Sequence, residues 1–525
     1  MAAITATKME SERSSLALAQ SSDLAMAAPA PSPGDLDKSL AAGLAWTAST
    51  KWSSQLISWG ALVVVTHLLS PADFGLAGMA ALFSGLLVVV SDALGTAVAT
   101  LRELSVGELE QLNSVGALCG CCACLISWAA AIPLGRFFRS PHLPLVVVVT
   151  SATLAASGLR IVPYGMLYRD MRFRLLSVFD ATQSVAQAAV TLTLAWRGYG
   201  YWALVLGNVA AGALQAALQI RARPCGFAWP RIGALREALR FSRHIMVSSL
   251  SWYGYSNADF LVAGRMLGQS ALGAYTLAWT LATIPLEKIT AIVSNVTYAY
   301  LSAAQKDDAA LRRYLRIITE GLSLITFPAT IGLGLVARDF IPLILGSKWQ
   351  GAIAPLEILA VYASFRCIVT LLPSILNVTG ESHFAMRVTQ GGLILMPVAF
   401  YAGSRWGPAG IAWGWVAAYP AIAACLYRRA FRRIRMPWRE YFGLVRPALT
   451  GCLAMSAVVE IVKHALAPSS RLPVRFGLEV LAGSAAYLIT LTVLHGDRFF
   501  VFWNFVRAMR NPAGVNELVE RAPRG

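Results

Sequence analysis

The chain has 525 residues, of which 57% are hydrophobic and 14% are charged. Soluble domains carry roughly 25% charged residues, so the composition excludes an ordinary soluble protein and predicts a membrane protein. The formal charge of +17 comes largely from basic residues that flank apolar runs, which favours contact with anionic lipid head groups over nucleic-acid binding.

The first 40 residues are rich in Ala, Ser and Pro, which is typical of a disordered tail. They lack the basic flank and apolar core of a signal peptide. Fourteen apolar stretches follow, each long enough to cross the hydrocarbon core as a helix. They lie near residues 44–69, 72–98, 111–135, 142–162, 174–197, 200–222, 240–264, 271–303, 311–337, 352–377, 383–403, 408–427, 441–463 and 474–495. The short connections exclude an attached soluble catalytic domain.

A turn between the first two stretches returns with an offset of 198 residues. The segment 68–80 (LLSPADFGLAGMA) aligns with 266–278 (MLGQSALGAYTLA), and Gly75 aligns with Gly273. Because such self-similarity indicates a repeated unit, the pattern predicts two six-helix lobes with the same membrane orientation and a cavity between them.

The predicted fold class is therefore an all-α polytopic membrane protein with two lobes and two extra C-terminal helices. The predicted segments are a disordered cytoplasmic tail at 1–40, an N-terminal lobe at 41–222, a basic linker at 223–240, a C-terminal lobe at 241–430, an extra helix pair at 431–496 and a second tail at 497–525.

The basic residues are distributed unevenly between the two sides of the membrane. If the N-terminus is cytoplasmic, 30 of the 44 lysines and arginines fall on the cytoplasmic side, 10 on the opposite side and 4 within spans. The positive-inside rule then predicts that both termini are cytoplasmic, which an even number of spans allows.

Ionisable side chains within spans are costly, so each is a candidate functional residue. The basic candidates are Lys51, Arg160, Lys288 and Arg366, and the acidic candidates are Asp92, Asp180, Asp259 and Glu287. Arg366 lies closest to mid-membrane, too deep to reach the interface easily. Several candidates lie on polar helix faces, which can be buried only against one another, around water or around a polar substrate.

Structural roles remain open for most of these candidates. Lys51 and Asp92 could form an ion pair, Asp180 and Asp259 could cap loops or pair with nearby arginines, and Lys288 could extend towards the interface. Stripes of Ser and Thr also hold helices together.

Aromatic and cysteine residues offer further candidate sites. Trp252 and Tyr253, with Tyr255 nearby, could stack on sugar rings or simply pack between helices. Four cysteines at positions 119, 121, 122 and 124 lack the polar surroundings of a metal site. The chain has no P-loop, kinase, HExxH or GxSxG pattern, which predicts a secondary transporter without cofactor or metal rather than an enzyme.

Five segments stand out as motifs: LLSPADFGLAGMA (68–80), SDALGTAV (91–98), RDMRFRLLS (169–177), RGYGYWALVLGN (197–208) and ADFLVAGRMLGQSALGAYTLA (258–278). In order and spacing they resemble the polysaccharide transport family, the Wzx-like oligosaccharide flippases of the multidrug/oligosaccharidyl-lipid/polysaccharide exporter superfamily. Asp92 and Asp259 match this pattern, but the match assigns them no role.

The resemblance implies alternating-access transport of an undecaprenyl-pyrophosphate-linked oligosaccharide to the periplasmic leaflet of the inner membrane, for exopolysaccharide, capsule or O-antigen. It implies membrane lipids, a polysaccharide polymerase and the chain-length machinery as partners. Lys51, Arg160, Lys288 and Arg366 are then candidates for pyrophosphate binding. Glu287 is the first candidate for a coupling carboxylate, because burial at that depth would favour its neutral form.

Two other functions remain open. One is a multidrug or metabolite antiporter of the same superfamily, which we expect to carry a lone carboxylate without basic partners. The other is a non-transporting component of polysaccharide assembly, such as a polymerase, which we expect to carry a large periplasmic loop.

Overall fold

The computed structural model describes residues 54–100, 104–231, 233, 235–303, 307–466 and 471–496. Within these ranges only the backbone is described for residues 90, 91, 99, 237, 238, 241, 244 and 288–303. Every regular element in the described residues is helical, as expected where the bilayer offers backbone groups no hydrogen-bond partners.

Seven helices lie in the described residues of the N-terminal half, and we number them in chain order. They are α1 (Ser54–Leu68), α2 (Pro71–Thr100), α3 (Val106–Phe137), α4 (Leu143–Thr150), α5 (Ala152–Arg169), α6 (Phe173–Trp196) and α7 (Tyr201–Ala222).

Eleven more α-helices lie in the part of the C-terminal half and of the final helix pair that the structure describes. They are α8 (Arg236–Ser256), α9 (Ala258–Leu267), α10 (Gln269–Ala303), α11 (Asp308–Leu335), α12 (Ala337–Phe340), α13 (Ile353–Val369), α14 (Leu371–Val378), α15 (Ser382–Gly403), α16 (Gly407–Ile434), α17 (Trp438–Ala465) and α18 (Leu472–Leu494).

The predicted apolar stretches coincide with these helices throughout the described part of the chain. Nine helical stretches there are long and apolar enough to cross a membrane, and one of them, Ser382–Ile434, contains both α15 and α16. The fold is therefore all-α and multi-pass, as predicted. The fourteen crossings remain a prediction, since the remaining stretches are shorter, more polar or incompletely described.

Several helix boundaries differ from the sequence prediction, and three of them concern the layout of the chain. The span expected to end before Pro163 continues through it to Arg169, whereas the span predicted at 240–264 is broken at Asn257. A membrane helix can contain a proline where neighbouring helices supply partners for the backbone groups that the proline leaves free. The linker predicted at 223–240 ends earlier, because Arg236 already begins α8.

The connection between the halves is tied to the start of α3. The Asn113 side-chain amide donates to Gly226 O at 3.1 Å, and the backbone N–H of Ala228 donates to Ser114 Oγ at 3.1 Å. Backbone groups of an otherwise irregular segment therefore find partners on a helix end.

The first turns of α2 and α10 meet in a reciprocal close contact. A Cβ atom at Gly75 would lie 1.9 Å from Gln269 O, and one at Gly273 would lie 1.8 Å from Pro71 O. Pro71 and Gln269 are also 198 positions apart, so both partners of the contact follow the repeat offset. Only glycine permits this approach, which we call the hairpin contact (Pro71, Gly75, Gln269 and Gly273).

The turn before α2 is held by its own side chains and by a neighbouring helix. Ser70 Oγ and Ser70 N–H donate to Asp73 Oδ2 at 2.6 and 2.9 Å, and Asp73 Oδ1 accepts from the Tyr201 N–H at 3.0 Å. The Asp73 carboxylate thus accepts hydrogen bonds from groups at the starts of both α2 and α7.

A segment of the C-terminal half closes over the end of α1. Lys348 Nζ donates to His67 O at 2.8 Å, and Trp349 Nε1 donates to Thr66 O at 2.9 Å. Trp349 is fully buried, with its ring 5.0 Å from that of Phe74 in an edge-to-face arrangement. The two halves are therefore joined on this side, which the charge bias predicts to be periplasmic.

Candidate functional site

A cavity of about 570 Å³ lies within the C-terminal half, among α8, α13, α14, α15 and α16. Its lining extends along the consecutive helices α13 and α14 from Arg366 to Asn377, a length of roughly 16 Å at about 1.5 Å per residue. Asn377 and His383 are exposed, so the cavity is accessible from the end of the helices away from Trp349. We call it the C-half cavity.

Arg366 is the arginine in the lining of the C-half cavity, and it lies in the last turn of α13. Its guanidinium carbon lies 5.7 Å from the ring centre of Trp279 and 5.9 Å from that of Tyr362. Contacts of this kind stabilise a cation by about 0.5–2 kcal/mol, more when water is excluded. The aromatic faces therefore hold the positive charge while leaving its donors available to an anion.

The rings near Arg366 form an aromatic cluster, which consists of Tyr255, Trp279, Tyr362, Trp415 and Tyr419. The ring centres of Tyr362 and Trp415 are 4.7 Å apart, and those of Trp279 and Trp415 are 5.3 Å apart. Tyr419 lies edge-to-face with Tyr362 at 5.2 Å. Such packing restricts the rotamers around Arg366.

Asp259 anchors this cluster from behind. Its carboxylate is fully buried, and Oδ2 accepts hydrogen bonds from Tyr275 Oη at 2.7 Å and from Trp415 Nε1 at 2.9 Å. The sequence left open whether Asp259 caps a loop or has another role. The structure places it in the first turn of α9 with two buried aromatic donors as partners, outside the cavity lining.

Glu287 lies on α10, and its charge acts on Arg366. Its side chain is exposed on the surface of the protein, and its depth in the membrane stays a prediction. The polar face of α10 is open at this point instead of being covered by another helix. Glu287 and Arg366 nevertheless form an electrostatic pair of opposite charge.

The two neighbouring aromatic candidates on α8 have different positions. Trp252 lines the C-half cavity and is 49% exposed. Tyr253 is absent from the lining, and its hydroxyl donates to Leu82 O on α2 at 2.7 Å. Because successive helical residues are about 100° apart, Trp252 faces the cavity while Tyr253 joins the two halves.

A second group of charged side chains lies in the N-terminal half. Arg160 on α5 is close enough to Asp92 on α2 for their charges to interact, and its guanidinium carbon lies 5.9 Å from the ring centre of Tyr164. The Asp180 carboxylate on α6 accepts from Gln215 Nε2 at 3.0 Å and also acts on Tyr164. Four helices therefore contribute to one polar cluster.

Two basic candidates cannot be placed. Lys51 and the side chain of Lys288 lie outside the described residues, so the proposed pair between Lys51 and Asp92 stays a prediction. The described partner of Asp92 is Arg160, which the sequence had not matched to it.

Some residues of the C-half cavity were not predicted. Tyr419 and His383 line it, and Trp415 packs against Tyr419 with the ring centres 6.2 Å apart. Trp415 and Tyr419 are four residues apart on α16, a spacing that places both on one helix face. That spacing could have identified them, whereas nothing in the local sequence of His383 marks it.

The cysteine cluster within α3 shows no sign of a metal site. Cys121 and Cys122 are exposed, and Cys124 Sγ donates to Ser151 O at 3.0 Å. Among the described residues, no group of three or more His, Cys, Asp or Glu side chains could hold a metal ion.

Comparison with known proteins gives a consistent assignment. A family model described as "polysaccharide biosynthesis protein" matches residues 64–354, more than half of the chain. The teichuronic acid biosynthesis protein TuaB of Bacillus subtilis (strain 168) is 23% identical over 77% of this chain and 85% of its own length. The lipopolysaccharide biosynthesis protein WzxC of Escherichia coli (strain K12) is 24% identical over 61% of this chain and 64% of its own.

Solved structures show the same fold at low identity. The lipid II flippase MurJ in an inward closed conformation aligns with a TM-score of 0.71 at 14% identity, over 86% of this chain and 99% of that chain. An inward-facing multidrug resistance MATE transporter aligns with a TM-score of 0.57 at 15% identity, over 73% and 94% of the two chains. The chain therefore belongs to the polysaccharide biosynthesis protein family, within the polysaccharide transport group of the multidrug/oligosaccharidyl-lipid/polysaccharide exporter superfamily.

Proposed function

We propose that this protein flips undecaprenyl-pyrophosphate-linked oligosaccharide repeat units from the cytoplasmic to the periplasmic leaflet by alternating access. The product would serve exopolysaccharide, capsule or O-antigen synthesis. The observation that carries the proposal is Arg366, held by aromatic faces in the lining of a cavity that is accessible where Asn377 and His383 are exposed. Several relatives carry names of polysaccharide biosynthesis or transport proteins.

Arg366 would bind the pyrophosphate. A sugar-pyrophosphate head group cannot cross hydrocarbon unaided, because each unsatisfied polar group costs several kcal/mol there. A guanidinium binds phosphate oxygens through paired, charge-assisted hydrogen bonds. Its aromatic neighbours supply no competing acceptors apart from hydroxyl groups, so its N–H donors remain directed at the anion.

The outer part of the C-half cavity would receive sugar rings. Trp252 presents a half-exposed indole face, and Asn377, Thr370 and His383 supply hydrogen-bond donors and acceptors along the same lining. Carbohydrates combine apolar ring faces with hydroxyl groups, so a cavity with a few polar groups among aromatic ones matches their chemistry.

Glu287 would couple substrate binding to a proton. In the described state its charge acts on Arg366. A bound pyrophosphate would take over the guanidinium and add negative charge beside Glu287. Like charges close together favour protonation of one carboxylate, so substrate binding and proton uptake would be linked.

Arg366 variants test the proposed function. In proteoliposomes that contain a lipid-linked oligosaccharide, we expect Arg366→Ala to abolish the protein-dependent appearance of sugar in the opposite leaflet, measured with a membrane-impermeant sugar-oxidising reagent. Arg366→Lys should retain part of the rate, because it keeps the charge but loses the bidentate geometry.

Arg446→Ala is the matched control, because Arg446 is exposed on α17 and outside the cavity lining. Its rate should equal that of the unmodified protein. Full activity of Arg366→Ala would remove Arg366 from the mechanism. Leaflet exposure that is the same with and without protein would overturn the flippase function itself, and uptake of a cationic drug in the same vesicles would then favour an antiporter.

We further propose that the protein lies in the bacterial inner membrane with both termini in the cytoplasm, and acts with a polysaccharide polymerase and the chain-length machinery. The 30-to-10 distribution of basic residues supports this orientation. The relatives named above are transport or biosynthesis proteins, which supports a transporter rather than an enzyme.

A further inference from the structure

The last helix, α18, carries two charged residues one helical turn apart, Arg475 and Glu479. Both face Asp339 on the short helix α12 of the C-terminal half. Asp339 is 2% exposed and Glu479 is 1% exposed. Two buried carboxyl groups therefore lie at the junction between the final helix pair and the rest of the protein, far along the chain from the C-half cavity.

Asp339 has a complete set of partners. The Arg475 guanidinium donates through Nε and Nη2 to both carboxylate oxygens of Asp339. This bidentate arrangement is the strongest pairing that an arginine and a carboxylate can form. Arg475 is thereby committed to Asp339, and its Nε lies 3.9 Å from the nearer Glu479 oxygen, beyond hydrogen-bond distance.

Glu479 has no comparable partner. Neither of its carboxyl oxygens has a hydrogen-bond donor in the described part of the chain. Its nearer oxygen and Asp339 Oδ2 both lie close to Arg475 Nε, so the two carboxyl groups are neighbours around one guanidinium. The remaining basic neighbour is Lys463 on α17, and its Nζ is occupied by Leu335 O at 2.7 Å and Glu460 Oε1 at 2.8 Å.

The charges balance only if the carboxyl pair holds a further positive charge. Two ionised carboxylates repel, and neither offers a donor to the other. A buried charge without a partner is strongly unfavourable. If one carboxyl group is protonated, its O–H can donate to the other carboxylate, and the site is satisfied with one aspartate and one arginine of opposite charge.

We propose that Glu479 and Asp339 form a buried proton-binding site, in which a proton on Glu479 is donated in a hydrogen bond to the Arg475-paired Asp339 carboxylate. The site links the packing of α18 against α12 to the pH. When the proton is lost, Glu479 becomes an unpaired buried anion beside Asp339, and the contact between the two helices weakens.

The sign of the pH dependence follows from proton linkage. A solvated, undocked Glu479 releases its proton to water at neutral pH, whereas the packed protein holds one proton in the proposed carboxyl–carboxylate hydrogen bond. The native state thus binds more protons, so stability is greatest at mildly acidic pH and falls as the pH rises. A carboxylate that is ionised and paired in the native state has the opposite effect, because it makes stability rise with pH.

Thermal unfolding of the full-length protein in detergent or nanodiscs, between about pH 5.5 and about pH 9, tests the site. The glutamine in Glu479→Gln is neutral and can donate its amide N–H to Asp339, so it resembles the protonated acid. We expect the decline of Tm with rising pH to become shallower by at least half in Glu479→Gln, with a Tm above that of the unmodified protein at the alkaline end.

Glu357→Gln is the matched control, because Glu357 is half-buried and already paired with Arg338 at 2.9 Å. It should leave the slope unchanged. Infrared difference spectra give a readout of the proton itself: the C=O band of a protonated carboxyl group should be present in the unmodified protein at neutral pH and absent in Glu479→Gln.

Three outcomes would overturn the proposal. One is an unchanged pH slope in Glu479→Gln, and another is an infrared band of the same size in both proteins. The third is a Tm of the unmodified protein that rises with sodium or potassium concentration at fixed pH while that of Glu479→Gln does not, because a bound metal cation would then balance the pair.

Discussion

Asp259 and Arg366 are connected through aromatic rings although their side chains have no direct contact. Asp259 accepts from Trp415, Trp415 packs on Tyr362, and Tyr362 lies beside the Arg366 guanidinium. The fixed carboxylate therefore determines where the cation lies. Residues that only position the site therefore also contribute to the proposed pyrophosphate contact.

Asp259→Ala is expected to destabilise the protein and to reduce transport. The substitution leaves the Tyr275 hydroxyl and the Trp415 indole N–H buried without an acceptor, at a cost of about 1–3 kcal/mol each in soluble proteins and toward the lower end in membrane proteins. Thermal unfolding of the purified protein measures the loss. Asp259→Asn keeps one acceptor oxygen, so its stability should lie between that of the unmodified protein and that of Asp259→Ala.

Asp308→Ala is the matched control for this loss. Asp308 pairs with Arg433 at 3.2 Å with about two-fifths of each side chain exposed, and such surface pairs contribute about 0–1 kcal/mol. Equal effects of Asp259→Ala and Asp308→Ala would contradict a special role of the buried carboxylate.

At the scale of elements, the hairpin contact brings the first turns of α2 and α10 into backbone contact. The repeated glycine in each lobe has a simple physical reason, since a Cβ atom at either position would overlap a carbonyl oxygen of the other helix. A backbone atom cannot move aside as a flexible side chain can. The two helices must separate before any larger residue fits.

Gly75→Ala and Gly273→Ala are each expected to destabilise the protein by at least about 1–3 kcal/mol, the usual cost of overpacking. Both substitutions open the same crossing, so the double variant should lose clearly less than the sum of the two single losses. Thermal unfolding of the three variants provides this double-mutant cycle.

Gly60→Ala provides the comparison on α1. A Cβ atom at Gly60 meets no other atom within 4 Å, and alanine is favoured over glycine inside a helix by roughly 0.5–1 kcal/mol. Its stability should be unchanged or slightly higher. Additive losses in the double variant would show that Gly75 and Gly273 act independently, contrary to the hairpin contact.

At the scale of the whole molecule, the described state is closed at one end and accessible at the other. Trp349 and Lys348 bind the backbone at the end of α1, while the C-half cavity is accessible from the opposite end of its helices. Alternating access requires the Trp349 contact to break when the substrate is delivered. The contact between the end of α1 and residues 347–349, which we call the seal, is thus the part that must move.

Distances between spin labels at Leu68→Cys and Gln350→Cys test this movement. Both residues are exposed and flank the seal without taking part in its hydrogen bonds. The eight native cysteines must first be replaced. A single short distance is expected without substrate, and a second, longer population should appear when a lipid-linked oligosaccharide is added.

A label pair within one half, at Leu118→Cys and Leu145→Cys, should keep its distance, because α3 and α4 belong to the same predicted lobe. A substrate-dependent change there without one across the seal would place the moving contact elsewhere in the protein.

The helices themselves could be predicted because their signal is local. A continuous apolar run of about 20 residues must be helical in lipid, and the Ser70–Asp73 turn and the repeated glycines follow from short-range chemistry. The positions of the helices were therefore predicted closely. The exceptions are Asn257, which separates α8 from α9, and Pro163, through which α5 continues.

The site could be predicted only in part. Arg366 was identified by its depth and Trp252 by its residue type, but Tyr253 has the same type and lies one position further along the helix. The direction in which each side chain points depends on the rotation of α8 against its neighbours. That rotation is set by packing, which no local pattern contains.

The sequence by itself therefore determined the class of protein, the helices, the repeat and the glycines that the repeat requires, because each of these depends on residues close together in the chain. Only the tertiary structure decided that Asp259 binds Trp415, which is 156 positions away, and that Arg475 donates to Asp339 on another helix instead of to Glu479 on its own. Such partners are chosen by burial, where every polar group must find whichever donor or acceptor the packed helices bring within reach.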